Sequence, residues 1–306
     1  MKLSIVTTMY YSRNYLQEFY NRTILVLHEL KMTYEFIFVD DGSPDDSLLV
    51  ALQLQNSDSN IKVIELSRNY GHQRAIMTGL HHASGDFVFL IDCDLEEAPE
   101  LLNDFWKKMN SEANVDVVYG VQTKRKGSWF EKLSGKLFYK IISALSSVKY
   151  PANTLTARLM SKNYVGTILR FQEKELDLWS VFALVGFNQL PMLVTKGDKG
   201  ISTYTFWKKL KRAIEIITSF SHRPLYLTFL LGMFSFVVAF INILIIVYKK
   251  IILKTDVEGW TSIIASIWFV GGMILLVLGI FGIYLSKMFL EIKNRPLTIV
   301  KNVFTK

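Results

Sequence analysis

Apolar and polar positions fall into alternating blocks along the first 120 residues. Short apolar, β-branched runs at Leu3–Met9, Tyr34–Val39, Ile61–Leu66 and Asp86–Ile91 read as buried strands, with Val115–Tyr119 as another. Between them, Asn14–Leu30, Asp45–Leu54, Arg74–Ala83 and Pro99–Asn110 carry apolar residues at helical spacing. Strands alternating with helices of this length predict an α/β fold, a mostly parallel sheet covered by helices on both faces. Further on, the pattern predicts an amphipathic, Lys-bearing helix over Gly127–Val148 and a strand over Asn153–Met160. Helices over Asn163–Leu169 and Asp177–Val185 and a Gly-rich polar loop over Lys196–Tyr204 follow.

The pattern then changes character. Leu225–Tyr248 is 24 residues without a charge and Ile263–Leu285 is 23. Each exceeds the ~20 residues that a bilayer-spanning helix needs. Just before them, Phe206–Phe220 sets Trp207, Leu210, Ile214 and Ile217 among Lys and Arg, a stripe suited to a helix lying in the membrane interface. The predicted layout is a globular domain over 1–205, an interfacial helix over 206–224, spans over 225–248 and 263–285, an external loop over 249–262, and a basic tail over 286–306.

Charge sharpens this division. Residues 1–200 hold 22 Lys+Arg against 23 Asp+Glu, whereas residues 201–306 hold 13 against 4, so the net +8 of the chain belongs to its apolar half. With no basic patch in the globular part, nucleic acid is excluded as the expected partner, and basic residues beside apolar spans suit anionic headgroups. Lys208, Lys209, Lys211, Arg212 and Arg223 precede the first span, and Lys287, Lys293, Arg295, Lys301 and Lys306 follow the second. Only Lys249, Lys250 and Lys254 lie between, which predicts both termini and the globular domain on the cytoplasmic side. Met1–Tyr11 lacks the apolar length of a signal peptide, and a single cysteine, Cys93, rules out an intrachain disulfide.

Chemistry concentrates where predicted strands end. Asp92, Asp94 and Glu96 follow the run Phe87–Ile91 at alternate positions, so extended backbone would project them to one side. Hard oxygen ligands gathered that way suit Mg²⁺ or Mn²⁺ with phosphates completing the shell; a solvated acidic turn before the helix at Pro99-Glu100 is the competing reading. Asp40-Asp41-Gly42-Ser43 closes the second strand, where an acid pair can accept hydrogen bonds from a base imide and a ribose. The same tetrapeptide is also ordinary turn chemistry. Ser67-Arg68-Asn69-Tyr70-Gly71-His72-Gln73-Arg74 follows the third strand and offers Arg68 or Arg74 to a phosphate, with Gly71 allowing close approach. His72, His81 and His82 have no ligand-spaced partners and read as exposed helix residues.

These pieces together resemble a family 2 glycosyltransferase of the polyprenyl-phosphate type, the group that includes bactoprenol glucosyltransferases and dolichol-phosphate-mannose synthases. The resemblance rests on Asp40-Asp41-Gly42-Ser43, Ser67 to Gly71, Asp92-Cys93-Asp94-Leu95, Arg158-Leu159-Met160 and Gly200-Ile201-Ser202. It extends to Val257-Glu258-Gly259-Trp260-Thr261-Ser262 and to the tail around Leu290–Pro296, and so covers essentially the whole chain. It implies a GT-A-type (Rossmann-like) domain followed by two transmembrane helices in a bacterial inner membrane. By the same resemblance, Thr8, Tyr10, Asp40 and Asp41 hold the nucleoside, with Arg68, Gly71 and Asp92 completing the nucleotide site. Asp92, Asp94 and Glu96 hold Mg²⁺ or Mn²⁺. Arg125 and Arg158 grip the acceptor phosphate, with Lys196, Lys199 and Ser202 in a covering loop. Asp92, Asp94 and Arg158 are then the catalytic set.

The activity so implied is inverting transfer of one sugar from a nucleotide-sugar donor, a UDP-hexose such as UDP-glucose, onto undecaprenyl phosphate. Homo-oligomers are also implied. Thr156 stands where relatives often carry Asp, which argues for direct attack by an already anionic phosphate. Glu96 replaces a common glutamine, and Gly197 and Gln122 replace arginines found in some relatives. The alternatives are an enzyme that extends a lipid-linked oligosaccharide or surface polysaccharide, and a non-catalytic membrane scaffold. Against the former stands the missing Gln-x-x-Arg-Trp motif of processive synthases; against the latter, the intact Asp92/Asp94 pair.

Overall fold

The computed structural model describes residues 1–122, 153–195, 223–251 and 259–306. The predicted helix over 127–148, the loop over 196–204, the interfacial helix over 206–220, and the site residues Arg125, Lys196, Lys199 and Ser202 lie outside them. Described residues fall into two compact units, one comprising 1–122, 153–195 and 295–306, the other 223–251 and 259–294.

In the first unit, strands β1 (Lys2–Met9), β2 (Thr33–Asp40), β3 (Ile61–Leu66) and β4 (Phe87–Leu90) alternate with helices α1 (Leu16–Leu30), α2 (Ser47–Ser57) and α3 (His72–His81). Then come α4 (Leu101–Ser111), β5 (Val117–Gln122), β6 (Thr154–Ser161), α5 (Lys162–Ile168), α6 (Leu178–Leu184) and β7 (Gln189–Val194), and β8 (Val300–Phe304) closes the chain. Among the described residues these strands form one sheet in the order β7-β5-β6-β4-β1-β2-β3-β8. It is mostly parallel; β6 and β8 run against their neighbours.

Alternation along each strand explains the two layers. Ile5, Phe36, Phe38, Val63 and Phe89 point to one face and pack with Phe19 and Leu27 of α1, Leu54 of α2 and Phe105 of α4. Their neighbours Val6, Ile37, Val39, Ile64 and Leu90 point to the other, against Ile76 and Leu80 of α3, Val165 of α5 and Phe182 of α6. Helix α3 lies close on the sheet because Gly79 has no side chain: a Cβ there would sit 2.5 Å from Val6 and 3.0 Å from Val39. That close seat brings the first turn of α3 to the carboxyl ends of β2 and β4.

Two strands escaped the sequence reading. β7 carries Pro191, which a strand tolerates at a sheet edge. β8 lies in the stretch predicted as a basic tail, yet it pairs antiparallel with β3 from Val63↔Phe304 to Leu66↔Val300. The Ile299 carbonyl accepts the Ser67 N–H at 3.0 Å, and Gln55 donates to the Phe304 carbonyl at 2.7 Å.

The second unit holds two long helices, α7 (Arg223–Ile251) and α8 (Trp260–Ile292). Both extend beyond the predicted apolar runs, since backbone hydrogen bonding continues into the flanking polar residues. They meet at Ser235 Oγ and Met273 Sδ, 3.3 Å apart. Each is long and apolar enough to cross a membrane, with mean hydropathy 2.1 over 223–242 and 2.3 over 266–292. Side chains such as Phe236 and Leu275 face outward, the reverse of a soluble protein's core helix.

Candidate active site

The carboxyl ends of β1, β2 and β4 meet two loops and the start of α3. At the end of β2, Asp40 and Asp41 are both 3% exposed. Asp40 accepts the Ser43 N–H at 3.2 Å. Burial pushes its carboxyl up, and neighbouring Glu65, Asp41 and Asp45 push it further, to about 6, although the Ser43 N–H acts the other way. Glu65 is its register partner on β3. Asp41 accepts N–H bonds from Tyr70 at 2.7 Å and Gly71 at 3.0 Å; burial still holds it above the ordinary range. Gly42 makes this junction possible. Its φ is +65°, and a Cβ there would sit 2.6 Å from the backbone of Arg68 and Asn69.

The segment after β3 joins separate parts of the site. Tyr70 and Gly71 hold Asp41, and His72 Nε2 lies 2.8 Å from Asp92 Oδ1. Gln73 accepts the Leu178 N–H at the start of α6, and Arg74 donates to the Lys174 carbonyl at 2.8 Å. Arg74 is therefore engaged in the fold, while Arg68 lies over the Tyr70 ring at 4.5 Å. Burial pulls the His72 imidazole down, but Asp92, with Asp41 and Glu97 behind it, raises it overall. His72 is exposed at the first position of α3, as expected, and the structure adds its bond to Asp92.

After β4 the backbone does not stay extended. The strand ends at Leu90, residues 93–97 form turns and bends, and Leu95 adopts φ 62°. Cys93 is buried with its thiol donating to the Thr8 carbonyl, and Asp94 Oδ1 accepts the Glu96 N–H at 3.0 Å. The extended backbone expected over residues 92, 94 and 96 is thus replaced by a turn, in which Leu95 takes the left-handed conformation and Asp94 caps the Glu96 N–H. Glu97 is 1% exposed and accepts N–H bonds from Thr156 at 3.1 Å and Ala157 at 2.6 Å, tying the acidic turn to the start of β6.

Arg158 pairs in register with Leu90 of β4 and Tyr119 of β5. Its guanidinium donates to the Thr156 and Leu155 carbonyls and lies 3.5 Å from the centre of the Phe182 ring and 5.0 Å from that of Trp179. Burial pushes it down to about 10, so it remains a cation at neutral pH. It borders an open cleft of about 420 Å³ walled by Tyr119, Thr154, Trp179, Phe182, Phe187 and Asn188. A buried, aromatic-stacked guanidinium at such a wall suits an anionic ligand.

The family model described as glycosyl transferase family 2 matches residues 4–169, more than half of the chain. The chain belongs to that family. Relatives of this family 2 glycosyltransferase match it along almost its whole length. A Mycobacterium tuberculosis protein named among glycosyltransferases is 43% identical over 99% of this chain and 89% of its own. The SfII prophage-derived bactoprenol glucosyl transferase of Shigella flexneri is 30% identical over 98% of both chains. Among solved structures, S. aureus TarS 1–349 in complex with UDP-GlcNAc gives a TM-score of 0.47 at 18% identity, covering 72% of this chain and 66% of that one.

Enzymes of this family commonly use a divalent metal with their nucleotide sugar. Among the described residues no three His, Cys, Asp or Glu side chains gather as a metal cage. The donor set at the strand end, Asp92 and Asp94, is hard carboxylate oxygen, which fits a Mg²⁺-like cation held by one or two carboxylates plus substrate phosphates. Of the residues singled out from sequence, Asp40, Asp41, Gly71, Asp92, Asp94, Glu96, Thr8 and Tyr10 belong to these strand ends and their loops. Sequence reasoning missed the roles of His72 and Glu97, which depend on which loops meet. For Glu97, an acid next to Asp92-Cys93-Asp94-Leu95-Glu96 was the one available signal.

Proposed function

We propose that this family 2 glycosyltransferase is a membrane-anchored, inverting enzyme that moves one hexose from a UDP-sugar, UDP-glucose foremost, onto undecaprenyl or another polyprenyl phosphate. The observation that carries this reading is the full-length likeness, apolar helices included, to proteins named bactoprenol glucosyl transferase. The arrangement of the first unit supports it. Asp40 and Asp41, with Thr8 and Tyr10, would hold the nucleoside, and Arg68 and Gly71 the diphosphate. Asp92 and Asp94, with Glu96, would hold Mg²⁺ or Mn²⁺. Arg158 would grip the acceptor phosphate beside the aromatic cleft, aided by Arg125, Lys196, Lys199 and Ser202.

In the transfer, an oxygen of the lipid phosphate attacks the anomeric carbon opposite the leaving group. The new C–O bond forms as the bond to the nucleoside diphosphate breaks, and the anomeric configuration inverts. The nucleophile is anionic at pH 7, so no proton need be removed and positioning dominates. Thr156 supplies no carboxylate, and Glu97 receives backbone N–H groups of β6. A bound divalent cation would neutralise charge on the departing diphosphate. The helices α7 and α8 would anchor the enzyme with both termini in the cytoplasm, as a homo-oligomer. The test is a transfer assay on the purified full chain in detergent, with undecaprenyl phosphate, Mg²⁺ or Mn²⁺, and a panel of nucleotide sugars. A lipid product heavier by one hexose is expected. Nucleotide binding without any product on lipid phosphate would move the acceptor to a lipid-linked oligosaccharide.

A further inference from the structure

β3 lies between β2 and β8 in the sheet. The segment that continues from β3, residues 67–71, therefore has the loop of the acid pair on one side and the end of the chain on the other. Toward the acid pair, Tyr70 and Gly71 donate their N–H groups to Asp41. Gly42 backs onto Arg68 and Asn69 so closely that a Cβ would sit 2.6 Å from them. Toward the chain end, the Ser67 N–H donates to the Ile299 carbonyl at 3.0 Å. The Tyr70 hydroxyl lies 2.9 Å from that of Ser67 and accepts the Ile299 N–H. The Thr298 hydroxyl lies 2.8 Å from that of Thr78 on α3, the helix into which the segment runs. The backbone that supplies Asp41 with donors is thus held from behind by residues 298 and 299. β8 itself brings little to the core: none of its five residues is buried, and Ile299 just before it is 54% exposed. An edge strand with so little buried surface opens at low free-energy cost, so these contacts can be made or lost without unfolding the sheet.

We propose that the C-terminal strand is a clasp on the nucleotide site. Seated on β3, it fixes segment 67–71 so that the Tyr70 and Gly71 N–H groups hold Asp41 in place for the donor; released, it lets that segment and Asp41 loosen. Tyr70 and Ile299 are positioning residues in this scheme, since they act through Asp41. The scheme rests on the nucleotide-donor reading above. Linkage makes it reciprocal: a seated strand that raises nucleotide affinity is itself favoured, by the same factor, when nucleotide binds.

Wild type, Tyr70→Phe and a chain ending at Pro296 are compared in detergent with Mn²⁺ present. Each is titrated calorimetrically against UDP, GDP, ADP, CDP and dTDP, well below its thermal midpoint. Tyr70→Phe keeps the ring beneath Arg68 and the backbone N–H to Asp41 but loses the link to Ile299. It should weaken the best nucleotide about 3- to 10-fold, the range of one lost hydrogen bond. The shortened chain should weaken it further, by about tenfold or more. On wild type alone, amide exchange over residues 300–304 is followed with and without that nucleotide, and should slow at least about threefold when it binds. Wild-type affinity in Tyr70→Phe, or amide exchange that nucleotide leaves unchanged, would overturn the proposal whether or not the shortened chain folds. A shortened chain with a lower midpoint but unchanged affinity would make β8 a structural edge alone and overturn it too. A wild-type protein that binds none of the nucleotides would instead remove the donor reading itself.

Discussion

Glu35 and Asp40 stand on the same strand, β2, toward its opposite ends, and both are nearly buried at 7% and 3% exposed. Their surroundings differ sharply. Burial would raise Glu35, but hydrogen bonds from the Ser4 hydroxyl, the Lys2 ammonium, and the N–H and hydroxyl of Ser84 outweigh it and hold the carboxyl at about 2. Asp40 is raised to about 6 by burial and by neighbouring Glu65, Asp41 and Asp45. The amino ends of the strands surround their acid with donors, whereas the carboxyl ends crowd acids together. A buried acid supplied with donors serves the fold; a buried acid among acids suits a ligand that brings donors and positive charge with it. The linkage signs are opposite. Glu35 contributes stability that is present above its unfolded value of about 4 and is lost as pH falls toward 2. Asp40 costs stability when ionised, so that part of the folding free energy improves as pH falls from about 6 toward 4.

The largest effect expected at the carboxyl ends is on turnover. Asp94→Ala should lower transfer at least about 10³-fold with either Mg²⁺ or Mn²⁺, while the thermal midpoint stays put. Mass detection of the lipid-linked sugar provides the readout, and retained transfer would sink the cation assignment. At the amino ends the largest effect is on stability. Glu35→Ala strands Lys2, Ser4 and Ser84 and should cost about 3 kcal/mol, read as a lower unfolding midpoint with specific activity intact. A midpoint that does not move would erase the contrast between the two ends.

That contrast was half legible in the sequence. Strands β1 to β4 announce themselves as near-continuous apolar runs, and acids at their ends mark a site because ligands gather there. Glu35 carries no such mark: its partners Lys2, Ser4 and Ser84 lie 33, 31 and 49 residues away and meet it only once β1 and β2 are in register. Likewise His72 reads, and stays, as a surface helix residue, but its bond to Asp92, 20 residues on, forms only once α3 settles on the sheet. The alternation of residues 92, 94 and 96 suggests extended backbone, but the chain turns directly after Asp92, with Leu95 in the left-handed region, and spacing alone does not show that. β8 is short and interrupted by Lys301 and Asn302, and the Glu65 that makes sense of both lies 236 and 237 residues upstream.

A smaller effect separates the two acids of β2 directly. Asp40→Asn removes a charge that burial disfavours, so the folded chain should gain about 1–3 kcal/mol at pH 7 and nothing near pH 4. Nucleotide affinity should fall at least about tenfold in the same variant, because the neutral amide no longer offers two acceptor oxygens. Chemical denaturation at both pH values, run beside nucleotide titration, reads both quantities. Loss of stability at pH 7 would make Asp40 a structural acid like Glu35.

The smallest effect tests whether the last strand tunes the acid pair. Glu65 lies beside Asp40 in register, and its negative charge helps to raise the Asp40 carboxyl. From β8, Lys301 and Asn302 both reach Glu65, and Lys301 is the largest influence lowering it. An exposed pair of this kind contributes at most about 1 kcal/mol to stability, so its removal should hardly move the midpoint. It should act on the field at Asp40 instead. Lys301→Met leaves the Glu65 charge less compensated and should shift the pH midpoint of nucleotide binding upward by a few tenths of a unit, while Glu65→Gln should shift it downward. Opposite shifts tie the chain's final strand to the charge state of its nucleotide site; identical profiles in both variants would confine β8 to covering a sheet edge.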